Sequence, residues 1–285
     1  MKILVTGGKG QLGRAFSALA KDKLYQGCQF WLYDLEEMDI LNAPQVMAAV
    51  AGLKADVVVH AAAYTQVDKA ETDADAAFRL NVTGTQNVAV ACLENNAKMV
   101  YVSTDYVFDG QKKRPYTEFD ATNPLSVYGR TKLLGENIAA RINPRLFIAR
   151  TAWLYGDGAN FVQTMLRLAQ ERDVLSVVND QTGTPTFTHD LARGIMELVS
   201  TSRYGTYHLT NNGSCTWYEF AREIFALRGV KTTLRPITTA EYPTAALRPP
   251  CAVLENYMLQ MTIGDKFRDW RLALAEYLSA NPARN

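Results

Sequence analysis

Cysteine is scarce and scattered: Cys28, Cys92, Cys215 and Cys251 are the only four in 285 residues, and no two form a CxxC pair. That spacing excludes a zinc ribbon and a disulfide frame, so reduced thiols in a cytoplasmic protein are expected, and no metal site. Charge of one sign is lacking as well. Thirty basic residues stand against 29 acidic ones for a net charge of +1, and no run of five or more like charges occurs. A nucleic-acid tract and a membrane-surface patch are thereby excluded. The longest basic cluster, QKKRP at Gln111 to Pro115, reads as a solvated loop. Long apolar runs are missing too. The N-terminal MKILVTGG is cut off by two glycines, too short for a signal segment or a bilayer span, and reads as a first strand. Nor is there a Gly/Ser linker or an internal repeat.

What remains is an ordinary globular composition, 48% hydrophobic and 21% charged, long enough for a large core and two unequal lobes. KILVT, FWLYD, DVVVH, MVYVST and LFIAR are short runs rich in β-branched and aromatic residues, with amphipathic helical stretches between them. Their near-continuous hydrophobicity fits strands covered on both faces, hence repeated βαβ units up to about Arg150. Beyond it, helices near Phe161 to Arg172, His189 to Ser200 and Trp217 to Leu227 are separated by Gly, Pro and Asn clusters. The expected fold is α/β: a Rossmann-type doubly wound parallel sheet over residues 1–155 and a smaller C-terminal α/β lobe over 156–285, with some exchange of chain between them.

Chemistry enters at the first turn. TGGKGQLG places Gly7, Gly10 and Gly13 after a strand and at the start of a helix, where backbone amides can meet a pyrophosphate. A tight strand-to-helix turn needs glycine for packing alone, but at the opening of a βαβ unit the motif reads as a dinucleotide site. Asp34, at the end of the second strand, can accept from an adenosine ribose hydroxyl, while Lys9 inside the loop could offset it and favour a 2′-phosphate. Ala61, Ala62 and Ala63 keep the end of the third strand free of bulk, and VSTDYVFDG delivers Ser103 and Thr104 to the same edge.

Asn123 and Pro124 look like the cap and first residue of a helix that carries Tyr128 and Lys132 on one face. An isolated Tyr-x-x-x-Lys pair is more simply a wet helix face. Beside Thr104 and a glycine turn it reads instead as a hydride-transfer site. A phenol with a pKa near 10 needs tuning to exchange a proton at neutral pH, and a nearby ammonium can supply it. Thr104 would hold a substrate carbonyl and Lys132 the nicotinamide ribose.

In this order, GGKGQLG, AAYTQVDKAE, NVTGTQNVA, VSTDYVFDG, PLSVYGRTKLLGE, RTAWLYG and NDQTGTPT resemble the extended short-chain dehydrogenase/reductase superfamily. Within it they resemble the branch that reduces the 4-keto group of a dTDP-linked deoxyhexulose to dTDP-L-rhamnose. The resemblance covers almost the whole chain. It implies NADPH or NADH as cofactor, a nucleotide sugar as the small-molecule partner, a monomer or homodimer, and a nucleotide-sugar role for the C-terminal lobe. It makes Thr104, Tyr128 and Lys132 catalytic. It maps cofactor contacts onto Gly10, Gln11, Leu12, Asp39, Ile40, Ala63, Tyr64 and Thr65, which join Gly7, Asp34, Ala62 and Val102 at the strand ends and Tyr128 and Lys132 on the helix. It places Asp105 and Trp153 on the sugar, with Thr104 and Arg248 as further sugar-nucleotide contacts. One departure lies in AALRPPCAVL, where Pro250, Cys251 and Ala252 replace an expected Gly or Lys, Asn and Ser.

Two other readings share the fold. A sugar-nucleotide dehydratase needs an Asp-Glu pair after the threonine, and here Asp105 is followed by Tyr106. The regulatory subunit of methionine adenosyltransferase keeps the cofactor site as a binding module, and only a turnover assay separates that reading from an enzyme.

Overall fold

Alternation along the strands builds two hydrophobic layers from one sheet. In β1 (Lys2–Thr6), Ile3 and Val5 point to one face and Leu4 to the other. β2 (Gln29–Tyr33), β3 (Val57–His60), β4 (Lys98–Thr104) and β5 (Leu146–Thr151) follow, and a strand Gly205–His208 completes a six-stranded parallel sheet in the order β2-β1-β3-β4-β5-Gly205–His208. The five strands expected from sequence form within a residue or so of their expected bounds. The computed structural model describes residues 1–281.

On one face, Ile3, Val5, Val57, Val59, Val100 and Phe147 meet the helices Gln11–Leu19 and Thr188–Val199. On the other, Leu4, Val58, Met99, Tyr101 and Ile148 meet Ala43–Leu53, Thr85–Glu94 and Val127–Ile142. The chain beyond residue 155 thus returns to the main sheet with one helix and one strand before it leaves again. A separate core, centred on Tyr155, Phe187, Phe220, Trp270 and Tyr277, fills the C-terminal part. It joins the helices Phe161–Glu171, Trp217–Arg228 and Trp270–Ala280 and a parallel pair of strands, Val174–Val178 and Thr233–Ile237.

The helix carrying Tyr128 begins later than its sequence suggests. Ser126, not Asn123, is the N-cap, its hydroxyl accepting from the Gly129 amide at 3.1 Å. Asn123 instead donates its backbone N–H to the Val107 carbonyl at 2.9 Å and its side chain to Asp109 at 3.0 Å. A serine cap one turn further on satisfies an orphan amide, whereas Asn123 is held by the loop after β4.

Candidate active site

Strand order reverses between β1 and β3, and the loops leaving that carboxyl edge enclose a cavity of about 710 Å³. At the crevice, Thr6 Oγ1 pairs with His60 Nδ1 at 2.8 Å and accepts from the Ala62 amide at 3.1 Å. Gly7 sits at φ +71°, and a Cβ there would come within 3.0 Å of the Ala62 nitrogen, so only glycine lets the two turns meet. Gly10 precedes the helix Gln11–Leu19 without a side-chain cap, leaving its first amides to an anion. Gln11 Oε1 is buried and unpartnered. This cradle and this orphaned acceptor fit a dinucleotide.

Leu12, Asp39, Ile40, Ala63, Thr65 and Val102 line the same cavity, as do Gly7, Gly10, Gln11, Asp34 and Ala62. Asp34 accepts from the Lys9 amide at 2.9 Å, which ties the second strand end to the glycine turn. The Lys9 ammonium turns outward to Glu36 at 2.7 Å and makes no ion pair with Asp34. Tyr64 departs from expectation. Its amide is held by Asn81 Oδ1 at 2.8 Å and its phenol donates to Asp73 at 3.2 Å, so its side chain lies outside the cavity lining.

Three successive residues of β4 meet one face of the helix Val127–Ile142. Thr104 lies beside the phenol of Tyr128, the Val102 carbonyl accepts from Lys132 Nζ at 2.7 Å, and Ser103 Oγ donates to Glu136 Oε1 at 2.5 Å. The approach is close because residue 129 is glycine: a Cβ there would fall 2.2 Å from the Tyr106 carbonyl oxygen. Tyr106 in turn packs edge-on against Tyr128, ring centroids 5.5 Å apart.

Burial dominates the electrostatics. It pushes the Tyr128 phenol up to about 12, opposed by the neighbouring Thr104 hydroxyl and reinforced by Asp105. It pushes Lys132 down to about 7, opposed by the Glu136 carboxylate. Lys132 lies on the Val102 carbonyl and 4.1 Å from the centre of the Tyr101 ring. Thr104 gives its proton to Asp105 Oδ1 at 2.9 Å and accepts from the Tyr106 amide at 3.2 Å. Asp105 is 2% exposed, its Oδ2 has no partner, and burial raises its pKa to about 7.

At the far end stand Trp153 and a residue that sequence reading missed, Trp217. Their rings stack with centroids 3.5 Å apart and planes within 8°. Trp153 adopts φ +45°, uncommon for a non-glycine residue, and a Cβ on Gly183 would sit 2.4 Å from its Cε2. Trp217 therefore already covers one indole face, so a sugar must use the rest of the ring unless the stack opens. Trp217 had no local signal, since it begins a helix of the C-terminal lobe more than 60 residues after Trp153.

Arg248 also differs from expectation. Both its terminal nitrogens are taken by Asp68, at 3.2 and 2.9 Å, and it does not line the cavity. The unusual Pro250, Cys251 and Ala252 segment is held through its backbone: Thr182 N–H donates to the Pro250 carbonyl at 2.9 Å and Ala252 N–H to the Thr182 carbonyl at 2.8 Å.

Residues 1–282 match the model of the RmlD substrate binding domain family. The chain is 40% identical to dTDP-4-dehydrorhamnose reductase of Aggregatibacter actinomycetemcomitans, over 96% of this chain and 97% of that one. Among solved structures, a dTDP-4-dehydrorhamnose reductase from Clostridium acetobutylicum superposes with a TM-score of 0.95 at 48% identity, covering 98% of this chain and 99% of that one. The Bacillus anthracis dTDP-4-dehydrorhamnose reductase in complex with NADP gives 0.94 at 39% identity over the same shares. With a Rossmann-type sheet, a glycine turn at its switch point and this match over nearly its whole length, the chain belongs to the RmlD substrate binding domain family, alongside the dTDP-4-dehydrorhamnose reductases.

Proposed function

We propose that this protein reduces the 4-keto group of dTDP-4-dehydrorhamnose to dTDP-L-rhamnose with NADPH or NADH, as a cytoplasmic step toward cell-surface polysaccharide. The observation that carries the reading is the convergence of Thr104, Tyr128 and Lys132 on one wall of a cavity that begins at the glycine turn and ends at Trp153 and Trp217. The family's reductases, and the NADP complex of one of them, support it. Residues 156–285 would supply most of the nucleotide-sugar end.

Gly7, Gly10, Gln11 and Leu12 would hold the pyrophosphate, Asp34, Asp39 and Ile40 the adenosine end, and Ala62, Ala63, Thr65 and Val102 the nicotinamide half. When bound, the reduced nicotinamide supplies the hydride. Tyr128, fully protonated at neutral pH, holds the proton that neutralises the alkoxide forming on the sugar. Thr104 has a single proton, so it can donate to the carbonyl oxygen only by turning from Asp105. Asp105, already short of one partner, then offers its carboxyl to a sugar hydroxyl.

Cofactor choice follows from Lys9 and Asp34. The Lys9–Glu36 pair is exposed on both sides and opens at little cost, so Lys9 can turn to a 2′-phosphate while Asp34 serves an unphosphorylated ribose. The ratio of kcat/KM for NADPH and NADH is expected to lie within about tenfold, or about 1.4 kcal/mol. A ratio in the thousands would show that one of the two residues governs the choice alone.

For the sugar end, Trp153→Ala is expected to raise KM for the nucleotide sugar while cofactor binding and thermal midpoint stay near wild type. Gly183→Val should raise KM as well by displacing the indole, with a lowered thermal midpoint from overpacking. Unfolding of both variants would assign Trp153 to the core. The test of the substrate is a comparison of the dTDP-linked 4-keto sugar with the unlinked one. Remote contacts should make the linked sugar far better, and equal rates would remove the nucleotide from recognition.

A further inference from the structure

Of the non-glycine residues in the cavity wall, Trp153 alone has a left-handed backbone, at φ +45°. A bulky residue keeps that conformation only where its surroundings over-determine it. Part of the restraint acts on the backbone, where the Trp153 carbonyl accepts from the Thr186 amide at 3.2 Å. The rest acts on the ring, and it comes from one small piece of the C-terminal part of the chain. Strands Thr182–Gly183 and Cys215–Thr216 form an antiparallel ladder that pairs Gly183 with Cys215 and Thr182 with Thr216. Both contacts of the indole sit on it. Trp217, directly after Thr216, stacks on the ring at 3.5 Å and 8°, and Gly183 lies so close that a Cβ would fall 2.4 Å from Cε2 and 2.6 Å from Nε1. Two rings at that separation leave no room for an atom between them, so Gly183 bears on the indole from outside the stack.

Trp217 is the rigid half of the pair. Its helix, Trp217–Arg228, opens with a reciprocal cap: the Glu219 N–H donates to Thr216 Oγ1 at 3.1 Å and the Thr216 N–H to Glu219 Oε2 at 2.8 Å. Behind it the Phe161 ring stands 4.6 Å away, itself stacked on Phe220 of the C-terminal core. Yet the two indoles are not core residues. Trp270 of the same core is 1% exposed, whereas Trp153 and Trp217 are partly exposed and line the cavity. An aromatic pair that served stability alone would gain most from full burial.

We propose that Trp217 is a positioning residue for the nucleotide sugar: with Gly183 it clamps the Trp153 indole, so that the edge of that ring, with its N–H, and not a ring face, meets a sugar hydroxyl. This rests on the reading of Trp153 as a sugar contact. An unclamped indole could turn about its side-chain torsions and would have to be ordered by the substrate, which weakens binding. The ladder orders it beforehand.

The test separates holding the ring from binding the sugar. With ¹⁵N-labelled tryptophan, the Trp153 indole resonance, assigned by its loss in Trp153→Ala, gives a heteronuclear NOE that reports how tightly the ring is held on the picosecond to nanosecond scale. Affinity for the product, dTDP-L-rhamnose, is measured by calorimetry and needs no turnover. In Trp217→Ala the NOE of Trp153 is expected to fall and the affinity to weaken about tenfold, the scale of one hydrogen bond, with NADPH affinity as in wild type. Trp217→Leu keeps apolar bulk at the position and should behave alike even where Trp217→Ala does not fold. Trp217→Phe keeps a ring to stack and should recover most of both readouts. In a Trp153→Ala background the same substitutions should change affinity little, since Trp217 acts through the indole. An indole as rigid in Trp217→Leu as in wild type, or the same loss of affinity with Trp153 absent, would overturn the proposal and leave Trp217 a packing residue. Failure of wild type to bind dTDP-L-rhamnose would instead strike the reading of the site, and the NOE would still decide whether Trp217 clamps the ring.

Discussion

Tyr128→Phe is expected to lower turnover by roughly two to four orders of magnitude, the scale for losing a positioned general acid, with NADPH affinity nearly unchanged. The phenol oxygen is the only atom removed. The ring keeps its edge-on packing against Tyr106, and the backbone turn it sits on is set by Gly129 and the Ser126 cap, neither of which involves the hydroxyl. Thr104 retains Asp105 and the Tyr106 amide as partners, so no buried hydroxyl is orphaned by the change. Near-normal kcat in Tyr128→Phe would remove the residue from the chemistry and shift the proton source to Asp105 or solvent.

Lys132→Met is expected to damage binding and turnover together, because one ammonium serves the cofactor and the wall that holds Tyr128. In the free protein Lys132 titrates near 7, well below its ordinary 10.5. Binding of an anionic cofactor favours the ammonium, so wild type should take up a proton on NADPH binding above about pH 7, and the variant should not. Stability carries a second signature, with its sign set by the same shift. Between about pH 7 and 10.5 the unfolded chain keeps a proton that the folded protein has released, so stability rises with pH through that window on account of Lys132. The methionine variant lacks that rise, and relative to wild type it should be most stable below pH 7. Calorimetry in buffers of different ionisation enthalpy checks the first point, and urea denaturation at several pH values the second. Loss of turnover with unaltered cofactor binding would break the double assignment.

The parts of the fold that sequence revealed are those with a local signature. The five strands β1 to β5 are short, largely apolar runs rich in β-branched or aromatic residues, and each was legible on its own. The sixth, Gly205–His208, is four residues with only Tyr207 as a large apolar side chain, and it exists because β5 offers it an edge. The site divides in the same way. Gly7, Gly10, Asp34, Ala62, Thr104 and Trp153 each end a strand or lie within four residues of its carboxyl end, so topology alone carried them to one edge of the cavity. What escaped were side chains whose partners lie far along the chain. Trp217 comes from the other lobe, Arg248 is taken by Asp68, and Arg150 neutralises Glu136 inside the core. The Tyr64 phenol turns to Asp73 because Asn81 fixes the backbone, a restraint invisible in the AAYTQVD stretch.

The most direct measurement of the central claim is NADPH consumption by the purified protein on addition of dTDP-4-dehydrorhamnose, with the product identified by NMR. The expected result is catalytic turnover that yields dTDP-L-rhamnose in equal amount to the NADPH oxidised, and that falls by the stated orders of magnitude in Tyr128→Phe. NADPH binding without turnover, in a protein whose Thr104, Tyr128 and Lys132 are intact, would contradict the account and make this chain a binding module built on a reductase fold.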